Sequence, residues 1–187
     1  PNRRFVFKKE SSIVKTVAEL LSGGKIIGWF QGGSELGPRA LGHRSILCDP
    51  RKKEMKDILN EKVKHREQFR PFAPSCLLEK MSDYFEFKKP SPYMLFAVPV
   101  KPNKKHEIPA VLHIDNTARL QTVTREDNDI FYKLIKEFYN LTNVPLLLNT
   151  SFNNQTPIVE TPEDALSTFL NTDLDYLAIG NLLICEK

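Results

Sequence analysis

The 187-residue sequence has only three cysteines, Cys48, Cys76 and Cys185, set far apart and without a C-x-x-C pair. An odd, dispersed set excludes a disulfide scaffold and a cysteine zinc site, and makes a reducing, cytoplasmic setting the expectation. No run approaches the ~18 apolar residues of a membrane span, and residues 1–10 (PNRRFVFKKE) lack the apolar stretch of a signal peptide. A soluble protein without membrane contact is therefore expected. There is no G-x-G-x-x-G, and Gly23-Gly24-Lys25 has neither the spacing nor the following Ser/Thr of a P-loop. His43, His65, His106 and His113 form no H-E-x-x-H, so a protein-held metal is not expected. No G-x-S-x-G elbow, internal repeat or low-complexity segment is present.

What is present is the composition of a globular domain. Hydrophobic residues make up 41% and charged residues 27%, enough apolar material for one sizeable core. Lys and Arg number 27 against 23 Asp and Glu, a net charge of +4. That mild excess fits an anionic ligand no better than solubility alone. Apolar spacing predicts helices over 12–22, 51–64, 79–85 and 127–142, the last capped by Asp127 or Asn128. A further helix over 161–171 has Thr161 as N-cap and Pro162 at its first position. Apolar or alternating runs predict strands over 25–31, 45–50, 71–78, 93–100, 118–124 and 145–152, with a hairpin over 175–187 turned at Gly180-Asn181. Residues 101–110, marked by Pro102 and Pro109, read as a loop. The expected fold class is α/β, one domain with a mixed sheet.

Residues 31–47, QGGSELGPRALGHRSIL, put four glycines and two arginines directly after a strand. Glycine lets backbone N–H groups approach a ligand, and arginine presents a planar fork of donors that matches phosphate or carboxylate. The pattern leaves two readings open: an anion site, or a turn whose arginines pair with Glu35 and Asp49. Five of the nine arginines, Arg39, Arg44, Arg51, Arg66 and Arg70, lie between residues 39 and 70. Arg51 opens the 51–64 helix and reads as a surface residue, whereas the other four sit beside Gly, Pro, His or aromatic residues. Arg119 interrupts an apolar strand, where an unpaired guanidinium is costly, so it needs an anion or a carboxylate such as Asp115. Trp29, Phe30, Phe69, Phe72 and Phe152 border these basic motifs as core residues, one of which has the shape to stack on a nucleobase.

The motifs ELGPRALGHRSIL followed by DP, REQFRPFAPS, IPAVLHIDNTARLQTV, LLLNTSFN and ETPEDA occur in that order between about residues 25 and 184. Together they resemble the C-terminal domain of the O-carbamoyltransferase family, which includes nodulation-factor and antibiotic carbamoyltransferases. The resemblance implies a YrdC-like twisted mixed sheet with flanking helices, similar to threonylcarbamoyl-AMP synthase. It implies ATP, Mg²⁺ held with the nucleotide, and carbamoyl phosphate as the bound species, converted to carbamoyl-adenylate with release of pyrophosphate. Lys64 and Arg119 are the implied catalytic phosphate ligands. Arg39, Arg44, Arg66 and Arg70 would line or brace the same basin, Ser45 and Asn149 would lie on it, and Ser151 and Asn153 would bond phosphate or ribose. Glu35 is expected to orient an arginine or hold Mg²⁺, and His113 and Asp115 to support Arg119.

Members of that family carry several hundred residues before these motifs, and this sequence starts at Pro1 without an initiator methionine. The expectation is a domain excised from a longer chain, its partner being the N-terminal domain that transfers the carbamoyl group to an acceptor hydroxyl. The competing reading is an RNA- or nucleotide-binding module without catalysis, favoured by the basic pI near 8.9. The concentration of basic residues in Gly/Pro loops after strands suits a small-ligand cavity better than a nucleic-acid footprint.

Overall fold

Short, largely apolar runs such as IGWF and APSCL have no exposed face, and strands of that kind are stable only when covered on both sides. In the computed structural model, which describes residues 4–65, 67 and 70–186, they occupy the middle of one nine-stranded sheet. The strands are β1 (Phe5–Lys9), β2 (Ile27–Phe30), β3 (Arg44–Cys48), β4 (Ala73–Leu77), β5 (Phe96–Pro99), β6 (Thr117–Val123), β7 (Leu146–Ser151), β8 (Tyr176–Ile179) and β9 (Leu182–Glu186). Their order across the sheet is β1-β9-β8-β2-β3-β7-β4-β6-β5. Only β2–β8 and β4–β6 are parallel, so the sheet is mixed.

Helices α1 (Ile13–Ser22) and α4 (Arg125–Thr142) pack on each other, and α4 also lies on β4, β6 and β7. Each buries one stripe: Ile13, Val17, Ala18 and Leu21 from α1, and Phe131, Leu134, Ile135 and Phe138 from α4. The i, i+3, i+4, i+7 spacing in α4 is what aligns these side chains on a single face. Short helices α2 (Met55–Leu59) and α3 (Met81–Tyr84) and the longer α5 (Pro162–Leu170) complete the molecule. Thr161 caps α5 in a capping box with Asp164, and Pro162 is its first residue, as the sequence predicts. Among the described residues no helix is long and apolar enough to cross a membrane.

Several local expectations are corrected. Residues 5–9, for which no element was expected, form the edge strand β1 against β9, because Phe5, Val6 and Phe7 suffice for pairing when β9 supplies the template. The helix expected over 51–64 is α2 followed by a π-helical turn, Asn60–Lys64, which ends at His65 in the left-handed region (φ 46°). The wider turn buries Lys64. The loop at 101–110 winds into 3-10 turns at Pro102–Glu107 and Pro109–Val111. Helix α4 starts earlier than expected: Thr124 is its cap, in a capping box with Asp127, and Asn128 leaves helical geometry (φ −162°, ψ 91°).

Arg51 is partly exposed, but it is not the free surface residue expected. Its Nε and Nη2 grip the fully buried carboxylate of Asp49 (2.9 and 2.6 Å), and Nη2 also donates to the carbonyl of Ser22 at the end of α1 (3.0 Å). Removing one partner of a buried pair strands the other charge. Arg51→Met is therefore expected to cost about 3 kcal/mol in a urea melt; a loss under about 0.5 kcal/mol would show the pair to be dispensable.

Candidate functional site

The loop between β2 and β3 folds around one carboxylate. Glu35 Oε1 accepts the backbone N–H groups of Leu41 (2.5 Å), His43 (2.8 Å) and Arg44 (3.3 Å). Its role is thus to close the loop on itself. Beneath the loop, three side chains from adjacent strands form a buried polar network: Ser75 (β4), Gln121 (β6) and Asn149 (β7). Ser75 Oγ donates to Gln121 Oε1, and Asn149 Nδ2 lies 2.9 Å from Ser75 Oγ and 3.1 Å from Gln121 Oε1. The network reaches up to the loop, with Asn149 Nδ2 3.1 Å from the carbonyl of Ala40 and Gln121 Nε2 donating to that of Leu41 (3.0 Å). The backbone that presents Arg39 is fixed by these two bonds. Ser75 and Gln121 were not singled out in the sequence; the available signal was a polar residue at an inward position of an otherwise apolar strand.

The two arginines of the glycine-rich stretch have different jobs. Arg44 is buried, its guanidinium stacked 3.6 Å above the Phe30 ring and donating to the carbonyls of Gln31 (3.1 Å) and Gly32 (3.0 Å). It braces the loop, and burial lowers its pKa against the opposing pull of Glu35 and Glu160. Arg39 is exposed and lines a cavity with Arg119, Ala40, Phe72, Met94 and Asn149. Arg119 is half-buried on β6, opposite Ala97 of β5. Burial, and then the charge of Arg39, push its pKa down, and its buried Nε has no hydrogen-bond partner among the described residues. Asp115, the carboxylate the sequence offered it, is engaged elsewhere, accepting from Thr117 N (3.0 Å) and Oγ1 (2.8 Å). Two guanidinium groups on one cavity with no ion pair to either, among the described residues, is an arrangement that calls for an anion.

A second cavity of about 380 Å³ adjoins the first through Ser151, which lines both, and is walled by Lys64, Arg70, Asn153 and Gln155. Lys64 Nζ contacts the carbonyls of Ser151 (2.6 Å) and Asn153 (2.8 Å) and Asn153 Oδ1 (2.8 Å). It ties the π turn to the end of β7 while facing this cavity. Arg70 is exposed and paired with Glu67. Ser45 is buried, its Oγ accepting from Gly42 N (3.1 Å) opposite Ser151 in the β3–β7 ladder. His113 Nδ1 lies 3.1 Å from Thr117 Oγ1, and burial lowers its pKa with Asp115 opposing and Arg119 and Lys56 assisting. Arg66 and Phe69 lie outside the described residues. The structure therefore places Arg39, Arg119 and Asn149 on one cavity and Lys64, Arg70 and Asn153 on a second, with Ser151 lining both, and sets Glu35, Arg44 and Ser45 in the scaffold of the loop. Among the described residues no group of three His, Cys, Asp or Glu side chains comes together to hold a metal.

The profile of the family described as Carbamoyltransferase C-terminus matches residues 18–186. The nodulation protein NolNO of Sinorhizobium fredii is 51% identical over 179 residues, covering 94% of this chain and 26% of that protein. The chain spans a quarter to a third of the length of the first curated relatives it matches. Among solved structures, full-length HypF in its phosphate- and nucleotide-bound form gives a TM-score of 0.58 at 18% identity, over 100% of this chain and 23% of that one. E. coli YciO gives 0.64 at 14% identity, over 91% and 79%. Likeness at these identities concerns the fold, and the fold is the YrdC-like mixed sheet with flanking helices.

Proposed function

Because the chain belongs to the carbamoyltransferase C-terminal family, we propose that its cleft binds ATP and carbamoyl phosphate and forms carbamoyl-adenylate. The single observation that carries this reading is the pair Arg39 and Arg119 on one cavity without a carboxylate, with Ser151 also lining the cavity faced by Lys64 and Arg70. Both substrates are polyanions, and holding them together means offsetting mutual repulsion with fixed cations and oriented donors. HypF, similar in fold, has been solved with phosphate and nucleotide bound, which fits the same use of the sheet.

In this reading carbamoyl phosphate first loses inorganic phosphate to water. A carbamate oxygen then bonds to the α-phosphorus of ATP, the bond from that phosphorus to the β-phosphate bridge breaks, and pyrophosphate leaves. Arg119 and Arg39 stabilise the charge that develops there, while Lys64 holds the Ser151–Asn153 segment that borders the phosphates. Mg²⁺ would come with the nucleotide and supply charge neutralisation at its phosphates, while Glu35 Oε1 is already taken by three amides. Transfer to an acceptor hydroxyl belongs to the larger remainder of the longer relatives. The test is pyrophosphate release from ATP, Mg²⁺ and carbamoyl phosphate. Release that requires carbamoyl phosphate supports the reading, and absence of both release and ATP binding overturns it.

A further inference from the structure

An open sheet ends in two strands that each leave one side of the backbone unpaired, and here those strands are β5 and β1. The ladders show which residues turn their N–H and C=O outward. Val100 N donates to Asn116 O (3.1 Å), so Phe96 and Val98 bond inward to β6 while Ala97 and Pro99 face out. Proline brings no N–H, and Pro99 O already accepts from Glu86 N (2.9 Å). That edge is closed.

The β1 edge is open. Glu10 N donates to Asn181 O (2.9 Å), which continues the β1–β9 register, so Val6 and Lys8 bond inward and Phe5, Phe7 and Lys9 face out. All three carry both a donor and an acceptor, and no strand pairs with them among the described residues. The side chains are exposed as well, Val6 to 41% and Phe7 to 58%. An apolar edge strand of this kind is a template for another strand.

The sequence around Phe7 is complementary to itself. With two copies of β1 antiparallel and Phe7 on the two-fold axis, Phe7 faces Phe7, Phe5 faces Lys9, Val6 faces Lys8, and Arg4 faces Glu10. Every outward N–H and C=O of Phe5, Phe7 and Lys9 then meets a partner. The two lysines, which otherwise blunt an edge, lay their stems along Phe5 and Val6 and do not meet each other. Opposite charges meet at both ends of the ladder. A register centred on Lys9 would instead put like charges face to face. Strand β1 precedes residues 18–186, the segment that matches the family profile, so membership of the family does not imply this pairing.

We propose that β1 is a homodimer interface, joining the sheets of two copies of this chain through an isologous β1–β1 ladder centred on Phe7. A five-residue ladder falls at the small end of specific interfaces, below about 1,200 Å², so an affinity in the micromolar range is expected. Sedimentation velocity of the purified chain over a concentration series is expected to show a monomer–dimer equilibrium. Phe7→Lys removes two rings and sets two cations on the axis, and is expected to weaken the dimer about tenfold or more while leaving the thermal melt unchanged.

The register is tested by cross-linking. Cys48 and Cys76 are buried, so replacing Cys185, which sits opposite Val6, by serine clears the background. In that background Phe7→Cys puts two thiols on Cα atoms about 5.5 Å apart, within disulfide range, and is expected to couple on mild oxidation. Lys9→Cys lies about 14 Å from its counterpart along the ladder and is expected not to couple. A chain that stays monomeric at every concentration, and whose Phe7→Cys form does not couple, overturns the proposal. Slow exchange of the Phe5, Phe7 and Lys9 amides in that monomer would show that another strand of its own chain covers the edge. A dimer that Phe7→Lys leaves intact, or one in which Lys9→Cys couples as readily as Phe7→Cys, overturns it too, by placing the contact elsewhere or in another register.

Discussion

Arg119→Met is expected to weaken anion binding strongly without lowering stability. A cation buried for structural reasons has a carboxylate, and its removal destabilises; Arg119 faces another guanidinium instead, and burial disfavours its charge. Methionine keeps a long apolar stem at this half-buried position while removing the repulsion from Arg39. The melting temperature should hold or rise by a few degrees, since about 1 kcal/mol corresponds to about 2–4 °C in a chain of this size. Affinity for carbamoyl phosphate or tripolyphosphate should fall about 10- to 100-fold, the value of one or two charge-assisted hydrogen bonds. Calorimetric titration and a thermal melt on the same sample decide it. Unchanged binding with a drop of several degrees would make Arg119 a structural residue. The contrast with Arg51 sharpens the test, because that arginine grips a buried aspartate and its loss is expected to act on stability instead.

Those two arginines also show why part of the site was legible and part was not. The strands and helices with unbroken periodicity, such as 27–30, 146–151 and 162–170, were readable because local pattern and burial agree there. The motif order carried the family, since several long stretches in sequence leave little room for coincidence. What could not be read was the partner of each charge. Arg39 and Arg44 stand five residues apart in one glycine-rich stretch, yet one lines a cavity and the other stacks on Phe30, a difference made by where β3 begins. Arg51 looked like the start of a charged helix, although the Asp-Pro-Arg spacing already allowed the bidentate pair with Asp49. Lys64 stood out in the sequence, but its contact with two β7-end carbonyls depends on a π turn that no helical periodicity announces. A cavity beside the β2–β3 loop escaped notice for a related reason: Tyr93 and His43, which both line it, are far apart in the sequence.

Gly42→Ala is expected to be the most damaging single-methyl change in that loop. Gly42 has φ +108°, a region that L side chains rarely adopt, and a Cβ built there would stand 2.2 Å from Cδ1 of Phe131. Backbone strain of about 1–3 kcal/mol adds to overpacking of about 1–3 kcal/mol. The same residue donates its N–H to Ser45 Oγ and offers its carbonyl to Trp29 Nε1 (2.9 Å), so it cannot shift without disturbing the core beneath. A stability loss of about 3 kcal/mol by urea denaturation is expected, together with weaker ATP binding, since the displaced backbone is the one that carries Arg39. Phe131→Leu in the same chain should recover part of the loss by clearing the ring while leaving the φ strain in place. A coupling of about 1 kcal/mol between the two positions is expected from a double-mutant cycle. Additive effects would mean that the loop does not rest on α4, and that the packing of Phe131 against Gly42 does not help to set the position of the arginine loop.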